Sequence, residues 1–321
     1  MSDSPTLATR GMISDQVLAT LPAAAEQFQR REPFRHIVID GFLQAEIAAS
    51  LLAEFPAFDR AHAINEDGQV GNKAVCERVH ALGPHFSRLD ALVQTRDFLG
   101  LVSRITAIPD LLYDPHYFGG GTHDNRNGQG LDVHIDFNRH PITHTHRRLN
   151  LIIYLNPDWQ AEWGGVLELH SDPQSEHDRI TRVVPLFNRA VIFETTEHSW
   201  HGFSPITLPT SRQDEARRSI ALYFYSTQRP ADELAATHST VYVGRPLPAH
   251  VAEGLTLAQA DVDEIRSLLR DRDSHIQRLY RETKQLNSQL EQALQSVRLV
   301  RGSLAFRALS AIRRSLRSLL R

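Results

Sequence analysis

His134 and Asp136 stand two apart in the run VHIDF at positions 133–137, and His201 follows in SWHGFSP at 199–205. Side chains at i and i+2 of a strand share a face. A His-x-Asp pair on a strand therefore aims one imidazole and one carboxylate into one cavity. A second imidazole from a neighbouring strand completes the set. Two histidines and one carboxylate take one face of an octahedral metal and leave three positions open, which suits Fe(II). His-x-Asp alone is a weak signal in a chain with 17 histidines, because a solvated strand end looks the same. His198 competes with His201 for the distal place. The two lie three apart, so they point to opposite faces of an extended strand.

The elements that must hold these residues can be read around them. Phe34–Phe42 reads as a strand ending in a turn, and Gln44–Phe55 as an amphipathic helix with Ile47, Leu51 and Leu52 on one face. Pro56 stops that helix. His80–Leu99 carries another helical pattern. From Leu111 the chain turns to short β-rich runs, with candidate strands at Leu149–Leu155, Val166–His170, Val191–Phe193 and Ser219–Tyr225. Many short strands separated by turns predict a sandwich or barrel, and a jelly roll among the β-only folds. Gly119–Gly130 reads as a glycine-rich loop before the His-x-Asp strand, a candidate lid.

The order of the pieces carries more than any one of them. After the His-x-Asp strand come RRLNLIIYLN at 147–156, Trp159, and WGGVLEL at 163–169. PLFNRAVIF at 185–193, the His201 segment and RRSIALYF at 217–224 follow. This series (H-x-D, Y-L-N-x-x-W, G-G-x-L, P-x-F-N, H-x-[VF]-x-P, R-x-S-I) resembles the Fe(II)/2-oxoglutarate-dependent dioxygenases, in their prolyl-4-hydroxylase-like branch, over roughly Pro33 to Ser226. The resemblance implies a mainly β fold with flanking helices, a double-stranded β-helix of the jelly-roll kind. It implies His134, Asp136 and His201 as iron ligands, with the H-x-[VF]-x-P match favouring His201 over His198. It also implies Fe(II) as cofactor, 2-oxoglutarate and O2 as co-substrates, and support of activity by ascorbate. The far carboxylate of 2-oxoglutarate needs a cation, and a guanidinium can pair with it bidentately. Counting three positions back from Ile220, as the family pattern does, gives Arg217. The long stretch Thr207–Ala216 leaves a shifted register open, which would place Arg218 there instead. Tyr154 matches a tyrosine that hydrogen-bonds the same carboxylate, and a core tyrosine is its alternative reading.

Other residues invite weaker readings. Asp132 is placed to orient a ligand histidine, or to make a turn. Arg148 fits either a substrate entrance or a surface ion pair. His140, His144 and His146 form a cluster that reads as solvated loop histidines, and His116 and His123 read the same way. The implied reaction is hydroxylation of an unactivated C–H with release of succinate and CO2. A prolyl residue of a protein is the first expected substrate. A small molecule, lipid or surface glycan is the alternative, and a non-catalytic jelly-roll binding module displayed on a coiled-coil oligomer is the third reading.

Composition bounds the rest. The chain has 321 residues and a formal net charge of −3, so it gives no reason to expect nucleic acid as a partner. The one cysteine, Cys76, permits no intrachain disulfide and no thiolate metal cluster; it reads as an inert, part-buried residue. Met1–Pro22 lacks the basic start and long apolar run of a secretion signal, and no stretch is apolar enough to span a bilayer. The expected location is cytoplasmic or membrane-peripheral. The expected domains are a loose N-terminal arm at 1–32 with a helix near Ile13–Gln29, the dioxygenase domain at 33–245, a coiled coil at 258–301 and a basic amphipathic tail at 303–321. The coiled coil is read from apolar residues in steps of three and four, among them Val262, Ile265, Leu269, Ile276, Leu279, Leu286, Leu290, Val297 and Val300. Arg272 and Thr283 interrupt the seam. Self-association into a homo-oligomer follows, with a long helix folded back on the catalytic domain as the alternative. The tail sets Leu309, Ile312, Leu316 and Leu319 against Arg313, Arg314 and Arg317, a pattern that can lie on an anionic membrane or dock on a partner.

Overall fold

Leu149, Leu151 and Ile153 alternate with Asn150, Ile152 and Tyr154 along one nine-residue strand, and this period of two organises the molecule. The computed structural model describes residues 7–58, 74–244, 246–248 and 250–302. It divides into two units, 1–245 and 246–321. The first unit opens with α1 (Leu7–Arg10), α2 (Asp15–Ala19), α3 (Leu21–Arg30), β1 (His36–Asp40) and α4 (Ala45–Ala53). Next come β2 (Ala74–Cys76), α5 (Pro84–Val93), α6 (Arg96–Thr106), β3 (Leu112–Tyr113), β4 (Gly121–Asn125) and β5 (Leu131–Ile135). The strand just named is β6 (His146–Tyr154), followed by β7 (Leu167–His170), β8 (Ile180–Val183), β9 (Arg189–Glu194), β10 (Trp200–Phe203), β11 (Arg217–Ser226) and β12 (Val241–Tyr242).

The strands form two antiparallel sheets of the jelly-roll kind. The larger runs β1-β9-β6-β11-β4-β2, with β3 also on β11, and the smaller runs β12-β5-β10-β7-β8. The larger sheet is apolar on both faces for different reasons. Its outer positions, Leu149, Leu151, Ile153, Ile192, Ile220, Leu222 and Phe224, are buried in one cluster with the helices. Its inner positions Tyr154, Val191 and Phe193 pack against Leu167, Leu169 and Val183 of the smaller sheet. Each such aliphatic side chain contributes about 1.5–3 kcal/mol by leaving water, so this double burial makes the larger sheet a rigid base for the site.

The helices follow from local signals. In α6, Phe98, Leu101, Val102 and Ile105 are buried at one-face spacing. Thr95 caps its start by accepting from Phe98 N at 3.2 Å. The helical pattern expected over His80–Leu99 splits into α5 and α6 at this capping turn. The N-terminal segment is no loose arm. Met12, Ile13, Val17, Ala24 and Phe28 join the main core, and backbone bonds run from Ser14 N to Phe42 O at 3.0 Å and from Gln44 N to Met12 O at 2.8 Å. Its apolar residues need a partner, and the helical face of the large sheet supplies one. The first six residues lie outside the described set.

In the second unit, α7 (Gln259–Gly302) is a single helix of 44 residues, about 65 Å long at 1.5 Å per residue. Asp261 accepts from Ala258 N at 2.7 Å and from His250 at 2.8 Å at its start. Leu269, Ile276, Leu279, Leu286, Leu290, Val297 and Val300 are exposed along it. The helix continues to Gly302, and the expected basic tail at 303–321 lies outside the described residues. Among the described residues no helix is long and apolar enough to cross a membrane.

Candidate active site

β5 and β10 are antiparallel neighbours with His201 directly opposite His134. Opposed residues share a face, and Asp136 lies two positions beyond His134. His134 Nε2 is 3.7 Å from Asp136 Oδ1, and His201 Nε2 is 3.5 Å from Asp136 Oδ2. The two imidazole centroids are 4.3 Å apart. One ligand atom from each residue falls within 4.8 Å of the others, and all three side chains are largely buried. For bonds of about 2.1 Å, neighbouring octahedral ligands stand about 3 Å apart, so a small inward movement would close this set on a cation.

The imidazoles are pre-aimed. His134 Nδ1 donates to Asp132 O at 2.8 Å, and His201 Nδ1 donates to Ser199 O at 2.9 Å. With Nδ1 protonated, each Nε2 is left as the lone-pair nitrogen facing the cavity. Asp132 thus orients the ligand as its position suggests, but through its main-chain carbonyl. Burial pushes the His201 pKa down, which favours the neutral imidazole that binds metal. Burial also opposes ionisation of Asp136, but Arg147, His201, His134 and an Asn150 hydrogen bond outweigh it and hold the carboxyl well below its ordinary range.

Arg147 and Asn150 were not legible as site residues. Asn150 Nδ2 donates to Asp136 Oδ2 at 2.8 Å, Arg147 Nη2 lies 3.2 Å from the same oxygen, and Arg147 also donates to Asn150 Oδ1 at 2.7 Å. The guanidinium is fully buried, 3.7 Å above the Tyr223 ring and 4.5 Å from that of Phe137. Strict alternation would put Arg147 with Leu149 on the helix side. The β6–β11 ladder pairs Phe224 with Leu149 and then Tyr225 with Arg147, so Arg148 is an extra residue in β6. That bulge turns Arg147 inward.

Arg217 is buried. Its Nε donates to Gly165 O at 2.6 Å and Nη2 to Tyr154 Oη at 3.3 Å, with the guanidinium 4.1 Å from the Phe203 ring. Among the described residues it has no carboxylate partner. Phe203 lies two beyond His201 on β10, on the same face, so Arg217 borders the cavity that the imidazoles enter. Gly165 makes room, since a Cβ there would stand 2.8 Å from Arg217 Cδ. Burial raises the Tyr154 pKa, against a smaller opposing effect of Arg217, so its hydroxyl keeps a proton to donate. Arg218 points the other way. It is partly exposed, with Nε 3.8 Å from Asp124 Oδ2 and the guanidinium 5.7 Å from the Phe55 ring.

Residues 120–225 match the family described as the 2OG-Fe(II) oxygenase superfamily. The matched span holds His134, Asp136, Tyr154, His201 and Arg217. The stretch 120–225 is a domain of that superfamily. The mouse prolyl 3-hydroxylase OGFOD1 is 29% identical to the oxygenase over 104 residues, which make up 32% of this chain and 17% of the mouse protein. The shared stretch is thus a small part of that relative. Among solved structures, the oxygenase is similar to a Trichoplax adhaerens prolyl hydroxylase in complex with a hypoxia-inducible-factor peptide. That pair shows 16% identity over 66% of this chain and 93% of the other, with a TM-score of 0.46. Prolyl 4-hydroxylases from Phytophthora capsici show 16% identity over 81% and 75%, with a TM-score of 0.46.

The donor set fits the cofactors of the superfamily, Fe(II) and 2-oxoglutarate. Two neutral imidazoles and a carboxylate would hold the iron, and a buried guanidinium without an acidic partner suits a dianionic co-substrate. Several sequence expectations need correction. His140 is buried, not solvated. Its Nε2 donates to Asp114 at 3.1 Å and its Nδ1 accepts from Ile142 N and Thr143 N, each at 3.1 Å. Arg148 is buried too, 3.3 Å from Glu233 and 3.7 Å from Glu194. Gly119–Gly130 is not a lid, because its middle is β4, paired with β11 and β2. His198 is exposed, away from the ligand set. Cys76 is a part-buried free thiol in β2.

Proposed function

We propose that this oxygenase hydroxylates a prolyl residue of a protein. The observation that carries the oxygenase chemistry is the convergence of His134, Asp136 and His201 beside the buried, acid-free Arg217. The prolyl assignment is supported by the order of motifs and by the mouse relative named as a prolyl 3-hydroxylase. When bound, iron and 2-oxoglutarate supply the oxidising power: R–H, O2 and 2-oxoglutarate give R–OH, succinate and CO2.

The protein's own groups set the geometry. Asn150 and Arg147 occupy Oδ2 of Asp136 and leave Oδ1 as the freer donor. Arg217 and the Tyr154 hydroxyl bind the far carboxylate of the co-substrate by charge-assisted hydrogen bonds. Phe193, 4.7 Å from the His201 ring, and Phe203 keep the interior apolar and exclude water. The edge-on pair Phe118 and Phe137, with centroids 5.5 Å apart, lies next to the Arg147 guanidinium that pairs with Asp136 and offers an apolar wall that a pyrrolidine ring can meet.

The test is 2-oxoglutarate turnover with a library of proline-containing peptides. Stimulated turnover with a peptide that gains one oxygen on proline supports the reading. Turnover stimulated only by glycan, lipid or small-molecule extracts overturns the prolyl assignment and keeps the oxygenase.

We also infer that α7 self-associates. Its exposed seam of Leu269, Ile276, Leu279, Leu286, Leu290, Val297 and Val300 follows a heptad repeat, and burying such a stripe against a second copy is the usual solution.

A further inference from the structure

β12 lies beyond the residues matched to the superfamily, yet it reaches the metal site. Val241 pairs with Ile135 and Tyr242 with His134 along the free edge of β5, and Val243 N donates to Val133 O at 2.7 Å. The smaller sheet therefore carries a cross-strand row of Tyr242, His134, His201 and Leu169. Directly opposed residues point to one face, so Tyr242 is on the face that carries the ligands. Its ring centroid is 5.2 Å from that of His134, with the planes 33° apart. The His201 ring is on the other side of His134, 4.3 Å away. His134 is thus held between two rings.

The segment that delivers Tyr242 is fastened to both ligand-bearing loops. Asn138, two residues after Asp136, donates to Ala236 O at 2.7 Å and accepts from His238 N at 3.1 Å. The His238 ring meets Glu197, four residues before His201, at 3.1 Å. A strap over 236–243 so bridges the two sides of the site and closes the edge of β5.

We propose that this strap is part of the catalytic unit and that Tyr242 is a positioning residue, holding the His134 imidazole at its metal-binding angle by ring contact. The proposal rests on the oxygenase reading of the ligand set. The contact assigned to this role is the one between the rings.

The test is an anaerobic Co(II) titration followed by visible absorption, on full-length wild type, Tyr242→Phe, Tyr242→Ala and the control Val241→Ala. Melting of each metal-free protein is measured in parallel. Val241 sits on the opposite face and is 40% exposed, so its truncation loosens the strap without touching His134. Tyr242→Ala is expected to bind Co(II) about tenfold more weakly, with a changed band shape. Tyr242→Phe and Val241→Ala are expected to bind as wild type does. The proposal is overturned if Tyr242→Ala binds normally, if Val241→Ala loses as much, or if Tyr242→Phe loses as much. Failure of wild type to bind Co(II) is a separate result that overturns the metal site itself.

Discussion

Arg147 Nη2 lies 3.2 Å from Asp136 Oδ2 with both groups buried, and only the bulge at Arg148 makes that contact possible. A buried carboxylate next to two imidazoles must stay ionised to bind metal. The guanidinium lowers the cost of keeping it so. Removing one partner of a buried pair leaves an uncompensated charge, which costs about 3–5 kcal/mol. Arg147→Met is therefore expected to lower the stability of the metal-free protein by about 3 kcal/mol in urea unfolding, and to weaken metal binding about tenfold or more. Unchanged values in both would refute the positioning role.

How much was legible follows from such particulars. His134, Asp136 and His201 were readable because i, i+2 spacing on a strand fixes a common face. Tyr154 and Arg217 stood out by their place in an ordered set of motifs, and the structure brings them into contact; their co-substrate role is the proposal made above. Arg147 was hidden because one extra residue in β6 reverses the side to which it points. His140 was hidden because its burial depends on Asp114, far back in the chain. Tyr242 was hidden in a Pro- and Gly-containing stretch with no alternating pattern. Gly119–Gly130 misled because glycine content suggested mobility, while Thr122, Asp124 and Asn125 are buried polar residues of a paired strand.

Arg217 separates co-substrate binding from metal binding. Hydrogen bonds to a charged group are worth about 1.5–3 kcal/mol each. Arg217→Gln should raise the KM for 2-oxoglutarate by about a hundredfold while Co(II) affinity stays near wild type. Tyr154→Phe should raise that KM by less, about three- to tenfold. Arg218→Ala should leave it unchanged. A large effect at Arg218 with none at Arg217 would reverse the assignment.

His170 predicts a pH response in stability. Burial alone would lower its pKa, but Glu168 and Asp178, the latter at 2.6 Å, outweigh this and raise it. A raised folded pKa contributes stability that is fully present below the unfolded value of about 6.5. It is lost as pH rises through the folded value. Urea unfolding of the metal-free protein should show this loss above about pH 6.5. His170→Gln should remove that slope. A variant with the same slope as wild type would discount the pair.

The α7 seam predicts an oligomer. Sedimentation velocity of wild type should give a species larger than a monomer, and Leu279→Asp with Leu286→Asp should return it to monomer without loss of turnover per site. A monomeric wild type would refute self-association.

The central claim is that His134, Asp136 and His201 hold iron while Arg217 holds the co-substrate. Its most direct measurement is the anaerobic visible spectrum of metal-stripped protein after addition of Fe(II) and 2-oxoglutarate. The account predicts a weak charge-transfer band in wild type. The band should be absent in His201→Ala and should require more 2-oxoglutarate in Arg217→Ala. A folded, fully reduced wild type that shows no band, or a His201→Ala protein that keeps it, would contradict the account.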